Sequence, residues 1–469
     1  MSSEYESDYL NVCVEGCLHG ELDAVYASVA EAEAKGAPKV DLLIICGDFQ
    51  SVRAGADLDS LEVPEKYKQL GDFHKYASGE CAAPVLTVFI GGNHEASNVL
   101  KSLYYGGWVA PNIYFLGFAG VVTMCGVRIA GCSGIHNTRD YTRGHYEEPP
   151  YDRESKRSIY HTRELEVYRL KQLARRSVDV MLTHDWPVGV WQHGDRERLL
   201  RQKPFLREDM DSGRLGSRPY ADLLSHMRPD YWFAAHLHCK FAALVVHPPD
   251  HSAGAGQPPP PLCGDAGAPV TRFLSLDKVI PGRDFLQFMQ IPCDQPTSRV
   301  LHYDAEWLGV LTATHTLLST NRQKVYMPHG STAVSPGDVQ AAAARFTRRN
   351  GSLAIPTVTA VETSALHVDT NVQTDVFLGT LGLPHIWTRP MHGSAGGAGG
   401  AGSGGSSSST AAAAVATATK DPNELDLDFG EDEEEDLDYC DEGGEAAAVA
   451  VAPAGAAGND TNELDIDDM

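Results

Sequence analysis

Residue types that bind divalent metal ions occur in five short motifs between residues 17 and 238. In chain order they are Cys17, His19, Asp48, Asn93, His184, His236 and His238. Thiolate, imidazole, carboxylate and amide groups are protein ligands of metals, and about four to six of them hold one ion. The set is therefore large enough for two ions. We assign Cys17, His19, Asp48 and His238 to one ion and Asp48, Asn93, His184 and His236 to the other, with Asp48 as the bridge.

Two divalent ions about 3.5 to 4 Å apart suit phosphoryl transfer, because they screen the phosphate charge and lower the pKa of the attacking water. The departing oxygen also needs a proton. His94 follows Asn93 and is not needed for coordination, so we predict that it is the general acid. Glu95 or Asp185 is expected to orient neighbouring imidazoles. The motifs thus predict metal-dependent hydrolysis of a phosphate ester.

A single histidine at a strand end is more often a hydrogen-bonded structural residue than a ligand. Structural roles are therefore predicted for the histidines that fit no motif, namely His74, His136, His161, His193, His226 and His247. The combination C-x-H, G-D, G-N-H, H and H-x-H in one stretch of chain favours a site for two metals over isolated structural histidines.

Each ligand motif follows a short apolar run of the kind that forms a buried strand. We predict strands at residues 9–14, 40–46, 84–90, 127–130, 178–183 and 231–234, and helices from residue 22 to about 36, at 164–173 and at 221–227. In α/β sheets the ligand crevice lies outside the carboxyl ends of the strands. The sequence therefore predicts an α/β fold, a layered β-sheet flanked by helices, with the metal ligands along one edge.

Composition limits the class of protein. The chain has 469 residues, a net charge of −25 and 42% apolar residues, as expected of a soluble protein of two or three domains. No apolar run approaches the roughly 18 residues of a membrane span, and the acidic first residues argue against a secretory signal. The ten cysteines form no C-x-x-C pair, which is typical of free thiols in a reducing compartment. These features predict an intracellular protein with no membrane segment.

Changes in composition divide the chain into four parts. We predict a first domain at 1–247, a Pro/Gly-rich insertion or linker at 248–270, a smaller C-terminal domain at 271–390 and a tail at 391–469. The tail contains 19 of the 63 acidic residues and one lysine, and its Gly, Ser and Ala tracts cannot form a packed core. We expect a disordered acidic tail.

Three stretches resemble the calcineurin-like metallophosphoesterases and, within them, the RNA lariat debranching enzymes. They are Gly-Cys-Leu-His-Gly-Glu-Leu-Asp at 16–23, Phe-Ile-Gly-Gly-Asn-His-Glu-Ala-Ser-Asn at 89–98 and the Gly-Gly-Trp-Val-Ala-Pro-Asn-Ile-Tyr run at 106–114. Residues 182–187 and 231–238 resemble the later metal motifs of the family. Residues 276–278, 283–286 and 306–308 resemble its C-terminal domain, so the resemblance extends from about residue 9 to 315.

The resemblance implies a metallophosphoesterase domain at 1–247 that hydrolyses the 2′-5′ phosphodiester at the branch point of excised intron lariats. His94 would then protonate the departing 2′ oxygen, branched RNA would be the partner, and the nucleus would be the location. Most metallophosphoesterases have Asp where this chain has Cys17, whereas debranching enzymes have Cys. A thiolate disfavours Mg²⁺ relative to Fe²⁺ or Zn²⁺, and Mn²⁺ remains acceptable.

The family also has a lariat recognition loop, which corresponds here to residues 135–157. Residues 139–176 contain ten basic and seven acidic residues in an otherwise acidic protein. The first part of this segment interleaves basic and aromatic side chains, as RNA contacts require, and the candidates are Arg139, Tyr141, Arg143, His145 and Tyr146. A solvated loop and helix face is the alternative interpretation of this composition.

Other functions remain open at this stage. A phosphoesterase for other phosphate esters would keep the metals without the basic, aromatic loop, and a noncatalytic scaffold would not need the complete ligand set with His94. An RNA-binding module without chemistry would need a dominant basic stripe. The acidic tail is expected to be solubilising, to dock a protein partner or to compete with RNA. The oligomeric state has no signature in the sequence.

Overall fold

The computed structural model describes residues 8–249, 268–295, 298–330, 334–361 and 371–385. Thirteen strands lie in these ranges: β1 (Tyr9–Glu15), β2 (Leu42–Ile45), β3 (Thr87–Phe89), β4 (Gly107–Ala110), β5 (Ile113–Phe115), β6 (Ala119–Met124), β7 (Val127–Cys132), β8 (Val180–Thr183), β9 (Tyr231–Ala234), β10 (Phe241–Val246), β11 (Val270–Ser275), β12 (Leu286–Pro292) and β13 (His302–Tyr303). The predictions for the tail at 391–469, and for most of the insertion at 248–270, lie outside the described residues.

Twelve α-helices lie in the same ranges: α1 (Leu22–Ala34), α2 (Phe73–Ala77), α3 (Ser97–Ser102), α4 (Thr138–Tyr141), α5 (Arg153–Ser158), α6 (Glu164–Leu170), α7 (Arg196–Gln202), α8 (Arg207–Asp211), α9 (Arg218–Met227), α10 (Ala305–Thr314), α11 (Pro336–Asn350) and α12 (Val372–Leu381). In this part of the chain, no helix is long and apolar enough to span a membrane. The eight cysteines of the described ranges are free thiols.

The strands form two sheets. One has six strands in the order β12-β1-β2-β3-β5-β4, and the other has seven in the order β10-β11-β9-β8-β7-β6-β13. The central strands β1, β2 and β3 are parallel to one another, as are β7, β8 and β9 in the second sheet. Each sheet therefore gathers the carboxyl ends of its central strands at one edge, where the ligand motifs follow.

The core lies between the two sheets. Alternate residues of β1 and β2, such as Val12 and Ile44, form one apolar cluster with Leu182 of β8 and Phe233 of β9. The opposite faces of the sheets are covered by helices, because the other strand residues pack against α1 and α2 on one side and against α6 and α9 on the other. Helices therefore cover both outer faces, and the predicted layered α/β fold is confirmed.

Two of the predicted helices show why they form where they do. In α1 the residues with the 3.6-residue spacing, Leu22, Val25 and Val29, are the buried ones. Helix α9 begins after Ser217, whose hydroxyl oxygen accepts from the backbone N–H of Tyr220. It ends at Arg228, which adopts a left-handed conformation with φ 52°.

The chain after residue 268 completes both sheets. β11 lies between β9 and β10, and β12 pairs along the whole length of β1, from Tyr9 opposite Pro292 to Glu15 opposite Leu286. The remaining helices α10, α11 and α12 pack against the outer face of the second sheet. The predicted C-terminal segment is thus joined to the first through shared sheets as well as through packed helices.

Candidate metal centre and its surroundings

The sequence-predicted ligands follow five central strands. Cys17 and His19 come after β1, Asp48 after β2, Asn93 after β3, His184 after β8, and His236 with His238 after β9. The loops are also tied to one another, because the backbone N–H of His19 donates to the carbonyl of Asp48 at 2.8 Å and that of Ala235 donates to the carbonyl of His184 at 3.0 Å. The two sheets together therefore bring all seven side chains to one edge.

Four of the ligand residues have left-handed backbone conformations. The φ angles of His19, Asp48, His236 and His238 are 47°, 49°, 64° and 48°. Such a conformation costs a non-glycine residue about 1 kcal/mol or more, and such residues cluster at functional sites. These sharp turns at the strand ends direct successive side chains into the space between the sheets.

Gly92 is required by the close packing of this site. A Cβ atom at Gly92 would contact the carboxylate of Asp48, and it would also lie 2.5 Å from the backbone nitrogen of Asp48 and 2.8 Å from Cε1 of His184. The absence of a side chain thus allows the loop after β3 to approach the loops after β2 and β8.

The first group of predicted ligands forms a compact cluster. Single ligand atoms of Cys17, His19, Asp48 and His238 all lie within 4.8 Å of one another. Nε2 of His19 lies 3.1 Å from Nε2 of His238 and 3.6 Å from Oδ2 of Asp48. Thiolate, imidazole and carboxylate donors that converge in this way fit a divalent transition metal ion.

The second group meets the first at Asp48. Oδ1 of Asp48 lies 3.3 Å from Nε2 of His184, which in turn lies 3.1 Å from Oδ1 of Asn93. The rings of His184 and His236 have centroids 5.1 Å apart. Asp48 thus directs one carboxylate oxygen to each group, which is the arrangement expected of a ligand shared by two ions.

Burial sets the protonation of these groups. It lowers the pKa of His19 to about 4 and that of His236 to about 3, so both imidazoles are neutral, as ligands must be. Burial alone would raise the pKa of Asp48, but the imidazoles of His184 and His94 lower it well below its usual value. Burial raises the pKa of the Cys17 thiol, so a cation is needed to hold the thiolate there.

His94 lies at the open side of the cluster. His94 is partly exposed, as are the neighbouring ligands His19 and Asn93, whereas the other five ligands are buried. Its backbone N–H donates to Oδ1 of Asp48 at 2.9 Å, and its Nδ1 lies 3.2 Å from the carbonyl oxygen of Glu62. A carbonyl only accepts, so Nδ1–H is the donor. Nε2 is the ring atom that faces the cluster, and it accepts from the side-chain amide Nδ2 of Asn93 at 3.1 Å.

Backbone carbonyls orient the imidazoles, which corrects the expectation for Glu95 and Asp185. Nδ1 of His184 lies 2.8 Å from the carbonyl oxygen of Cys46. Glu95 instead accepts from the backbone N–H groups of Phe49, Gln50 and Gly92, each at 2.9 Å. Asp185 accepts from the backbone N–H of Trp186 at 2.7 Å. Both carboxylates therefore shape the loops that contain the ligands. The contact between His94 and the Glu62 carbonyl could not be predicted from the sequence, because every residue has a backbone carbonyl.

The C-terminal segment also supports one ligand. The backbone N–H of Cys17 donates to the carbonyl of Asp277, and the backbone N–H of Val279 donates to the carbonyl of Cys17, both at 3.3 Å. Residues 277–279 therefore fix both sides of Cys17, and the metal cluster depends on residues from both ends of the fold.

The predicted RNA-contacting residues differ in their surroundings. Arg139 is exposed, Arg143, Tyr141 and Tyr146 are partly buried, and His145 is only 3% exposed. Nε2 of His145 lies 2.9 Å from Oε1 of Glu166. The prediction of an RNA contact for His145 is not supported, because the side chain is buried and its Nε2 is bound to a carboxylate.

Two of the histidines predicted to be structural are buried and paired. Nδ1 of His161 lies 2.8 Å from Oδ2 of Asp140, and Nε2 of His247 lies 2.7 Å from Oγ1 of Thr271. These contacts agree with roles in packing.

Comparisons with known proteins agree with this geometry. Residues 10–240 match the family model described as calcineurin-like phosphoesterase, and residues 268–386 match the model described as lariat debranching enzyme, C-terminal domain. A lariat debranching enzyme of Drosophila melanogaster is 50% identical over an alignment of 343 residues that covers 68% of this chain and 64% of the relative. The Homo sapiens enzyme is 50% identical over 69% of this chain and 57% of its own length.

A plant relative is covered more completely. The Arabidopsis thaliana lariat debranching enzyme is 49% identical over 67% of this chain and 71% of its own length. The matched part spans less than two thirds of the fly and human relatives. The phosphoesterase model and the C-terminal domain model match consecutive parts of the chain, and residues of both parts contact the candidate metal cluster. The chain belongs to the lariat debranching enzyme family of calcineurin-like phosphoesterases.

Proposed function

We propose that this chain is a metal-dependent phosphodiesterase that hydrolyses the 2′-5′ bond at the branch point of excised intron lariats. The observation that supports this most directly is the meeting of two groups of ligand side chains, seven residues in all, at the shared Asp48, with His94 beside them. Its relatives named lariat debranching enzymes support the choice of substrate. Intron turnover during mRNA processing, in the nucleus, is the corresponding role.

We infer two divalent ions, one held by Cys17, His19, Asp48 and His238 and one by Asp48, Asn93, His184 and His236. When bound, such ions screen the phosphate charge and activate water. The Cys17 thiolate favours Fe²⁺ or Zn²⁺, with Mn²⁺ also acceptable, over Mg²⁺. The same thiolate accepts from the backbone N–H of His236 at 3.1 Å, which stabilises its charge.

The remaining work falls to residues of the chain. His94, with Nδ1–H fixed by the Glu62 carbonyl, acts as the doubly protonated imidazolium: it presents Nε2–H to the leaving 2′ oxygen, donates that proton and is left as the neutral Nδ1–H imidazole. Arg139, Arg143, Tyr141 and Tyr146 lie in the loop at 135–157 and contact the RNA. His145 is left out of this set because it is buried against Glu166.

The test is hydrolysis by the purified full chain of three substrates, each with Mn²⁺, Zn²⁺ or anaerobic Fe²⁺. The substrates are a branched RNA with one 2′-5′ linkage, a linear 3′-5′ RNA and an aryl phosphate. Cleavage at the branch alone supports the proposal. Cleavage of the aryl phosphate alone would leave a phosphoesterase with another substrate. An absence of cleavage despite two bound ions would favour a noncatalytic scaffold.

A further inference from the structure

An open cleft of about 720 Å³ lies where the loop at 135–157 meets the C-terminal segment. We call it the cation cleft and define it by Arg139, Arg143, Arg322 and Lys324, which line it together with three neutral polar residues. The backbone joins the two segments here, because Arg143 and Lys324 lie opposite each other in an antiparallel bridge. The four cations come from two distant parts of the sequence, and the loop composition could indicate only Arg139 and Arg143.

The side chains in the cleft are held in position. The guanidinium of Arg322 lies 5.2 Å from the ring centroid of Tyr146, and that of Arg143 lies 5.9 Å from the same ring. Such cation–π contacts hold the guanidinium groups in place. Arg143 is held further by an ion pair between its Nη1 and Oδ1 of Asp140 at 2.9 Å. Tyr146 therefore positions two of the guanidinium groups that line the cleft.

One carboxylate occupies the place between two of the cations. Oε1 of Glu154 lies 3.0 Å from Nη2 of Arg139 and 2.6 Å from Nη2 of Arg322. A single anionic oxygen shared by two guanidinium groups is also how an RNA phosphate oxygen binds arginine. About half of each of these three side chains is exposed, so a phosphate has access to the same position.

A short helix connects the cleft to the candidate active site. Glu154 belongs to α5, and Nε of Arg157 on the same helix lies 3.2 Å from Oε1 of Glu62. The backbone carbonyl of Glu62 is the group that holds Nδ1 of His94. The six residues of α5 extend about 9 Å, so the cleft lies within about one short helix of the residue that holds His94.

We propose that the cation cleft binds backbone phosphates of one arm of a branched RNA and that the Glu154 carboxylate holds one phosphate position in the free protein. This inference rests on the proposed function and extends it from the branch point to an arm of the substrate. Recognition is electrostatic, through Arg139, Arg143, Arg322 and Lys324, and it is independent of the base sequence.

The test compares the full, metal-loaded chain with the double variant Arg322→Gln/Lys324→Gln. Its substrates are a branched RNA with long arms and one trimmed to a single nucleotide on each arm. Each contact with a single-strand phosphate adds about 0.7 to the magnitude of the slope of log affinity against log salt concentration. Losing two contacts therefore lowers that magnitude by about 1.4. Between about 50 and 200 mM salt, the affinity of the unmodified protein for long-armed RNA should fall about sevenfold more than that of the variant. The two proteins should cleave the trimmed substrate equally.

Two further variants make the result specific. Arg348→Gln/Arg349→Gln removes the same charge from exposed positions at the end of α11 and should leave the salt slope unchanged. Glu154→Gln should tighten the binding of long-armed RNA, a gain that misfolding cannot produce. Equal salt slopes for the unmodified protein and the Arg322/Lys324 variant would refute the proposal that the cation cleft binds RNA phosphates. Weaker binding by Glu154→Gln would refute the proposal that the Glu154 carboxylate holds a phosphate position.

RNA binding by the cleft and hydrolysis at the branch point are measured separately, so either can fail without the other. If the unmodified chain cleaves no branched RNA, the proposed debranching activity is wrong. Fluorescence anisotropy of the uncut long-armed RNA then measures the cleft alone. If the loss of affinity with salt differs about sevenfold between the unmodified protein and the Arg322/Lys324 variant, the cleft binds RNA even without debranching activity. If it does not differ, the inference about the cleft is wrong.

Discussion

Replacing His94 by alanine removes the proposed proton donor and leaves the metal cluster intact. The backbone N–H of residue 94 donates to Oδ1 of Asp48 at 2.9 Å, and alanine keeps that N–H. The imidazole is held by the carbonyl of Glu62 at Nδ1 and by Nδ2 of Asn93 at Nε2. Alanine removes the second contact but leaves Oδ1 of Asn93, the predicted ligand atom, beside His184. The variant should therefore bind the same number of metal ions as the unmodified protein and lose the acid alone.

The size of the effect depends on the leaving group. A positioned general acid contributes about 10² to 10⁴ in rate, or about 3 to 5 kcal/mol of transition-state stabilisation. The 2′ hydroxyl of RNA is a poor leaving group and needs the proton. A nitrophenolate leaves as an anion and does not. We therefore expect His94→Ala to lose about 10² to 10⁴ in kcat on branched RNA and less than about tenfold on an aryl phosphodiester.

The assay measures kcat on both substrates together with metal content by mass spectrometry. Asn98→Ala on the neighbouring helix α3 is a suitable control, because Nδ2 of Asn98 donates to Asp57 at 2.6 Å and does not contact the ligand cluster in the described structure. An equal loss of kcat on both substrates would refute the proton-donor role. A loss that does not depend on the leaving group would mean that the substitution disturbs substrate positioning or metal binding. Unchanged turnover of branched RNA would refute it as well.

Three other substitutions test the site and its support. Cys17→Asp should shift the bound metals towards Mn²⁺ or Mg²⁺ after equilibration with a metal mixture, and an unchanged metal distribution would mean that Cys17 is not a ligand. Gly92→Ala should lose bound metal, because its methyl group meets Asp48, whereas Gly55→Ala, which meets nothing within 4 Å, should retain it. Glu166→Gln should lower the free energy of unfolding at pH 7 by about 3 kcal/mol in denaturant titrations. Burial alone would raise the pKa of Glu166, but His145 lowers it to about 2 from 4.5. The carboxylate therefore stabilises the fold above about pH 4.5 and loses this effect as the pH falls to about 2. A variant with the same acid dependence as the unmodified protein would contradict this reasoning.

The strand ends were predictable because a short buried strand has a strong local pattern. The run at 231–234 coincides with β9, and the predicted strands at 9–14 and 178–183 agree with β1 and β8 to within two residues. Since the ligand motifs follow these runs directly, their meeting at one edge of parallel strands was also predictable. The division into two sheets was not, because the pairing of β1 with β12 joins residues about 270 positions apart.

The surroundings of the site were less predictable, for reasons that differ between residues. His145 lies among basic and aromatic residues in the sequence, and only the tertiary structure shows that Glu166 encloses it. Arg322 lies far from the loop in sequence, and its contact with Glu154 depends on how two segments meet. Local composition describes the average character of a segment, whereas burial and ion pairing are decided one side chain at a time.

The pairing of β1 with β12 has a consequence for the synthesis of this protein. Ribosomes add about 5 to 20 residues per second, so the 277 residues between Glu15 and Pro292 take about 14 to 55 seconds to make. During that time β1 has a neighbour, β2, on one side alone. An unpaired edge of this kind pairs readily with other chains. The nascent protein therefore passes through a prolonged interval in which it is prone to aggregate, and this interval ends when its own C-terminal segment arrives.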